Sequence, residues 1–217
     1  MDNKKLETRA YTFEIRTSTN EEGRGILEGR PIVYDRETDL GFFRERIEPG
    51  ALNKTDLRDV RFLVNHDTNM IPLARSRNNN ESSTMQLFVD EDGMRNRVKL
   101  DIEHNSQARN LYSAVERGDI DGMSFMFSIN GQEWEDLKSD SPLRRITDIA
   151  SVIEVSAVTF PAYEETEIHA RCVDVLESAR ATLESVPDPL ESERRALDIE
   201  RERQLALVNM KKEEAHA

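Results

Sequence analysis

The chain has 217 residues and a formal net charge of −13, from 43 acidic against 30 basic side chains. A single cysteine, Cys172, excludes an internal disulfide framework and a cysteine-built zinc site, and the acidic balance argues against a protein that tracks nucleic-acid phosphates. The longest apolar run, Val152–Phe160, is broken by Glu154 and is too short to cross a bilayer; the opening MDNKKLETRA has no apolar stretch after its charges, so neither a signal peptide nor a membrane partner is expected.

Taken in order, the elements up to residue 170 read mainly as strands. Ala10–Arg16 alternates and puts Tyr11, Phe13 and Ile15 on one face. A turn over Glu21–Gly25 leads to a second strand over Gly25–Asp35. The run Gly41–Ile47 stops at Glu48-Pro49-Gly50, which forbids continued regular structure. Val60–His66 alternates, placing Val60, Phe62, Val64 and His66 on one face. Leu87–Val89 and Arg97–Glu103 flank Asp92-Gly93, a hairpin signal. One helix interrupts the series: Ser106 caps it, Leu111 and Val115 lie four apart, and Gly118 ends it in the left-handed conformation. Met123–Ile129 and Ile149–Phe160 are the last strands, and Pro161 ends the second.

Beyond residue 170 the composition changes. Arg171–Ala217 is built from helix formers and charges, without glycine or aromatics. Pro187 and Pro189 divide it into a helix over Ala170–Ser185, with Val173, Leu176, Ala179 and Leu183 on one side, and a second over Leu190–Met210 with only a thin apolar stripe. The fold expected is therefore mostly β with a few helices (α+β), as a core over 1–170 and a charged helical tail over 171–217.

Three residues could carry chemistry. His66 ends an apolar strand; it is either a strand-end histidine bonded to a carbonyl or a general base, since imidazole titrates near neutral pH. Ser124 points away from the face shared by Met123, Phe125, Phe127 and Ile129, and it is not in a G-x-S-x-G elbow, so an α/β-hydrolase is disfavoured. Glu154 lies in a run that reads as buried on both faces. An unpaired carboxylate there would cost several kcal/mol, so it needs a partner: a histidine ring N–H, or Arg144 or Arg145. His104 and His169 read as exposed, and His216 is in the terminal tail. No metal-binding spacing or phosphate loop is present in the sequence, and no metal or other cofactor is expected.

Five segments, in order, carry a resemblance: Gly29–Tyr34 (GRPIVY), Gly41–Leu52 (GFFRERIEPGAL), Phe62–Arg75 (FLVNHDTNMIPLAR), Gly118–Phe127 (GDIDGMSFMF) and Ile153–Tyr163 (IEVSAVTFPAY). Over roughly Arg9 to Ala170 the chain resembles the tailed-phage prohead maturation proteases, relatives of the herpesvirus capsid protease assemblin. The resemblance implies an assemblin-like β-barrel core and a serine endopeptidase with Ser124 as nucleophile and His66 as base. The third member in the herpesvirus relatives is a second histidine; here that strand offers Glu154, with Asp148 and Asp67 as rivals. Oxyanion donors would be backbone N–H groups or one of Arg75, Arg77, Arg144 and Arg145.

The implied substrates are the scaffolding segment of the major capsid protein and the protease itself, cut inside the procapsid in the bacterial host cytoplasm. A homo-oligomer is expected, and the tail fits a scaffold-contacting, removable element. The alternative is a non-catalytic procapsid scaffold or assembly protein, or a fusion of protease and scaffold.

Overall fold

The computed structural model describes residues 6–12, 15–19, 25–159 and 166–185, together with Glu200. It divides into one compact unit over Met1–Leu176 and a second over Glu177–Ala217. In the first unit the strands β1 (Glu7–Thr12), β2 (Arg16–Thr19), β3 (Gly25–Val33), β4 (Thr38–Asp39), β5 (Arg44–Ile47), β6 (Asp59–Val64), β7 (Ala74–Arg77), β8 (Met85–Asp90) and β9 (Gly93–Leu100) precede helix α1 (Ser106–Glu116). Two long strands, β10 (Gly122–Glu135) and β11 (Leu143–Val158), and helix α2 (Thr166–Ser185) follow.

A seven-stranded sheet runs β1-β10-β11-β5-β4, with β6 paired to β11 and β7 to β6; a four-stranded sheet runs β2-β3-β9-β8. The mostly-β class with a few helices is thus correct. The described pairs leave both sheets open, and barrel closure stays what the resemblance implies.

Local chemistry explains most elements. The β8–β9 hairpin forms where Asp92-Gly93 predicted a turn: Asp90 pairs with Gly93. Gly93 has φ +132, and a Cβ there would lie 2.1 Å from the Ile32 carbonyl oxygen, so only glycine fits. Helix α1 buries Ala108, Leu111 and Val115, and Gly118 follows it at φ +77. Its cap is Asn105 rather than Ser106. The Asn105 side-chain oxygen accepts from the backbone N–H groups of Gln107 (2.9 Å) and Ala108 (3.2 Å), which leaves Ser106 as the first helical residue.

Two expectations fail for reasons of topology. The single strand expected over Ala10–Arg16 is two strands in different sheets: β1 pairs with β10 and β2 with β3. Phe13 lies outside the described residues. Strand β6 stops at Val64, because Asn65 and His66 adopt φ +48 and +57, so His66 leaves the face of Val60 and Phe62.

The main core is formed by side chains such as Phe62, Phe125, Phe127, Ile149 and Val155, all fully or nearly fully buried. Each such side chain contributes about 1.5–3 kcal/mol on burial. A smaller cluster joins Leu40 and Phe43 to Cys172 and Leu176 of α2.

The second unit is described at Glu177–Ser185, the last part of α2, and at Glu200, which is helical and exposed. Leu183, expected on the apolar side of this helix, is exposed; among the described side chains of α2 the buried ones are Cys172 and Leu176, in the first unit. The second tail helix expected over Leu190–Met210 lies outside the described residues apart from Glu200. Among the described residues no helix is long and apolar enough to cross a membrane.

Candidate active site

The centre of the seven-stranded sheet brings three sequence-distant segments together. β11 pairs antiparallel with β10 on one side, Ser156 opposite Ser124 and Glu154 opposite Met126. On its other side it pairs parallel with β6, with Ala157 beside Val64. Period-2 alternation sends Val155 and Ala157 into the core and puts Glu154, Ser156 and Ser124 on the opposite face. Next to Glu154 the ladder is irregular: Met126 pairs with Glu154 but Phe127 with Val152, so Ile153 is an extra residue. Such bulges bend a strand and re-aim its side chains.

His66 reaches this face because the chain turns sharply after β6. Two consecutive non-glycine residues with positive φ cost on the order of 1–3 kcal/mol each, and the turn is correspondingly well tied. The Asn65 backbone N–H donates to Ala157 O (2.9 Å). Asn65 Oδ1 accepts from Thr159 N (2.9 Å), and its Nδ2 donates to Thr159 Oγ1 (3.1 Å). The His66 backbone N–H donates to Ser156 Oγ (3.2 Å).

Glu154 is 2 % exposed, and two donors meet its carboxylate. His66 Nδ1 makes a very short contact with Oε1, and the Ser156 hydroxyl donates to Oε2 at 2.6 Å. The carboxylate can only accept, so the proton of the first contact sits on Nδ1, and Nε2 is the nitrogen free to take a proton. Of the partners open to Glu154 from sequence, the histidine ring is the one realised. Arg145 instead bonds Glu48 (2.8 Å), and Arg144 bonds Glu7 and Glu45.

Ser124 lies directly across from Ser156 but does not bond to His66. Its hydroxyl is fully buried and donates to the carbonyl oxygen of Arg9 on β1 at 2.8 Å. The structure therefore joins His66 to Glu154 and puts Ser124 on the adjacent strand, turned toward β1.

The rivals for the carboxylate role are elsewhere. Asp148 is opposite Gly131 and contacts the Asn130 amide, while Asp67 is exposed and accepts from Asn69 N at 2.9 Å within its own turn. Of the arginines considered as oxyanion donors, Arg75 is paired with Asp59 and Arg144 is buried among carboxylates. His104 is exposed and bonds Asp101, as expected; the side chain of His169 and all of His216 lie outside the described residues.

Reading the sequence missed two supports, Ser156 and Asn65. Ser156 had a signal: two residues from Glu154 on a strand, it must share the same face. Asn65 had a weaker one, as asparagine tolerates the left-handed conformation.

The caudovirus prohead serine protease family matches residues 11–180. The prohead protease of Enterobacteria phage HK97 is 30% identical over 166 residues, covering 75% of this chain and 67% of that protein. The solved structure of the bacteriophage T4 capsid assembly protease is similar at a TM-score of 0.38 and 12% identity, covering 71% of this chain and 99% of that one. The extent of the family match and the HK97 identity together establish that the chain belongs to the caudovirus prohead serine protease family.

Proposed function

We propose that Ser124, His66 and Glu154 form the acyl-transfer unit of this serine protease. We further propose that it acts inside the procapsid, in the bacterial host cytoplasm, on the scaffolding segment of the major capsid protein and on itself. The observation that supports the residue assignment best is the contact between His66 Nδ1 and the buried Glu154, on the face of the sheet that Ser124 shares. It orients an imidazole with Nε2 available, next to a strand serine that lies in the matched family region.

The Ser124 hydroxyl exchanges the Arg9 carbonyl for His66 Nε2. Its oxygen bonds to the scissile carbonyl carbon as its proton passes to Nε2. Glu154 holds the resulting imidazolium. Collapse of the tetrahedral intermediate breaks the C–N bond, and the Nε2 proton leaves with the amine. Water, deprotonated by His66, then hydrolyses the acyl-enzyme and restores Ser124. The Arg9 contact is the resting position of the nucleophile.

Residues 171–217 serve in this proposal as the element that contacts the scaffold, or a second copy of the chain, before removal by self-cleavage. Co-expression with the capsid protein tests the assignment. Ser124→Ala should leave the capsid protein uncleaved while the variant stays folded, and a fluorophosphonate should label the parent at Ser124. Normal processing by the alanine variant would remove Ser124 from the role. Truncation after Val186 should leave an active core that is poorly incorporated into procapsids.

A further inference from the structure

Ser156 is fully buried and sits between two parts of the same histidine. Its single hydroxyl proton goes to Glu154 Oε2 (2.6 Å), and its oxygen accepts the His66 backbone N–H (3.2 Å). Glu154 Oε1 in turn takes the His66 ring at Nδ1. The contacts close a ring: backbone of His66 to Ser156, Ser156 to Glu154, Glu154 back to the imidazole. A serine at this point fixes both where the His66 backbone stands and how the carboxylate is rotated against the ring.

We propose that Ser156 is a positioning residue for the protease reaction, holding the His66–Glu154 pair in its working orientation through both contacts. The inference rests on His66 acting as general base for Ser124. Three observations carry it. First, His66 holds φ +57, an uncommon backbone state for any residue with a side chain, so external ties help to hold it, and Ser156 supplies one of them. Second, a carboxylate with one oxygen on an imidazole is still free to rotate about its last bond; the Ser156 hydroxyl at the other oxygen stops that rotation. Third, Ser156 lies directly opposite Ser124 across the β10–β11 ladder, so the strand that sets the base also sets the distance to the nucleophile. Ser156 is not itself placed as a nucleophile, because its hydroxyl is held from both sides, donating to Glu154 Oε2 and accepting the His66 backbone N–H.

The test uses the full chain and a fluorophosphonate probe, with the labelled residue identified by mass spectrometry and the His66 Nδ1–H followed by NMR in histidine-labelled protein. Ser156→Ala removes the hydroxyl; Ser156→Thr keeps it. The alanine variant should label Ser124 about 10–100-fold more slowly, the range expected for losing a hydrogen bond to a charged group. The loss should fall in the inactivation rate constant, with the probe's half-saturation changed by less than about twofold. Its Nδ1–H resonance should broaden or move upfield, and Ser156→Thr should restore both signals.

If Ser156→Ala does not fold, Ser156→Cys replaces it, keeping the volume with a weak donor; it should label slowly, and parental speed overturns the proposal. Parental labelling and an unmoved Nδ1–H in a folded Ser156→Ala overturn it while leaving the Ser124–His66 assignment intact. A parent protein that labels at Ser156, or fails to label at Ser124, overturns the assignment itself and the positioning role with it.

Discussion

Two carboxylates buried in the same sheet, Glu45 and Glu154, are almost equally removed from water, at 1 % and 2 % exposure. Their partners differ in kind. Glu45 accepts from Arg9 (2.5 and 2.7 Å) and from Arg144 (2.9 Å), and the same two arginines close on Glu7. The result is a four-charge cluster of zero net charge beside the small apolar group of Leu40, Phe43, Cys172 and Leu176. Among the described residues Glu154 is met by an imidazole and a hydroxyl and by no guanidinium. A guanidinium does not give up its proton in a protein, so the Glu45 cluster is fixed and can only hold strands together. An imidazole can lose and regain one. Burial alone therefore does not distinguish the two carboxylates; the partner's capacity to exchange a proton does.

The largest effects are expected on the Glu154 side, where the proposed proton transfer takes place. Ser124→Ala and His66→Ala should each lower the cleavage rate by about 10⁴-fold or more, with the double variant no worse than either, because members of one catalytic unit are not additive. Multiplied losses in capsid-protein cleavage assays would show that the two residues act separately. Glu154→Gln keeps the shape and loses the charge; the analogous change in other triads costs roughly 10⁴-fold. Its melting temperature should stay within a few degrees of the parent. Asp148→Asn should cleave normally, and a dead Asp148→Asn beside an active Glu154→Gln would exchange their roles.

The contrast also explains what the sequence made legible. Glu154 was recognisable as buried and in need of a partner because it interrupts a continuous apolar run, a local pattern. Helix α1 and the β8–β9 hairpin were legible for the same reason: caps, spacing and turn residues act within a few positions. The Arg9–Glu45–Arg144 cluster was not, since its members lie 36 and 99 residues apart and no local pattern joins them. The passage of the chain from one sheet to the other between β1 and β2 was hidden because alternation reads the same in either sheet. Alternation places His66 on the face of Val60 and Phe62, because a single asparagine is too weak a signal for two left-handed residues in succession. The motif centres single out His66, Ser124 and Glu154 as candidates, and the contacts that tie His66 to Ser156 and Asn65 to Thr159 emerge only in the tertiary structure.

On the structural side, Arg144→Met should leave Glu7 and Glu45 to share Arg9, with one negative charge uncompensated in the interior. Breaking a buried pair from one side costs roughly 3–5 kcal/mol, to be read from urea unfolding. In conditions where the variant remains folded, Ser124 should still react with a fluorophosphonate. A variant as stable as the parent would mean that water reaches the cluster. One that is stable but inert would mean that the cluster also serves the reaction, which would erase the distinction between the two carboxylate environments.

The smallest expected effect is the pH dependence that this fixed cluster imposes on stability. Burial by itself would raise the Glu7 carboxyl, but the Arg144 hydrogen bond and the charges of Arg9 and Arg144 outweigh it and hold the group at about 2, against an ordinary 4.5. A carboxyl lowered on folding stabilises the folded state wherever the unfolded chain would be ionised. Its contribution is thus complete above pH 4.5 and declines as the pH falls from there toward 2. The amount at stake is on the order of 3 kcal/mol. Urea unfolding between pH 6 and 2 should show stability falling along this window, and Glu7→Gln should start lower at pH 6 and fall less steeply. If Glu7→Gln lost stability with acid as steeply as the parent, the dependence would belong to other carboxyls, Asp56 among them, which Arg58 holds at about 2 on the exposed surface. An Asp56→Asn variant separates the two, because an exposed pair of that kind contributes little to stability, and its removal should leave the acid slope nearly unchanged.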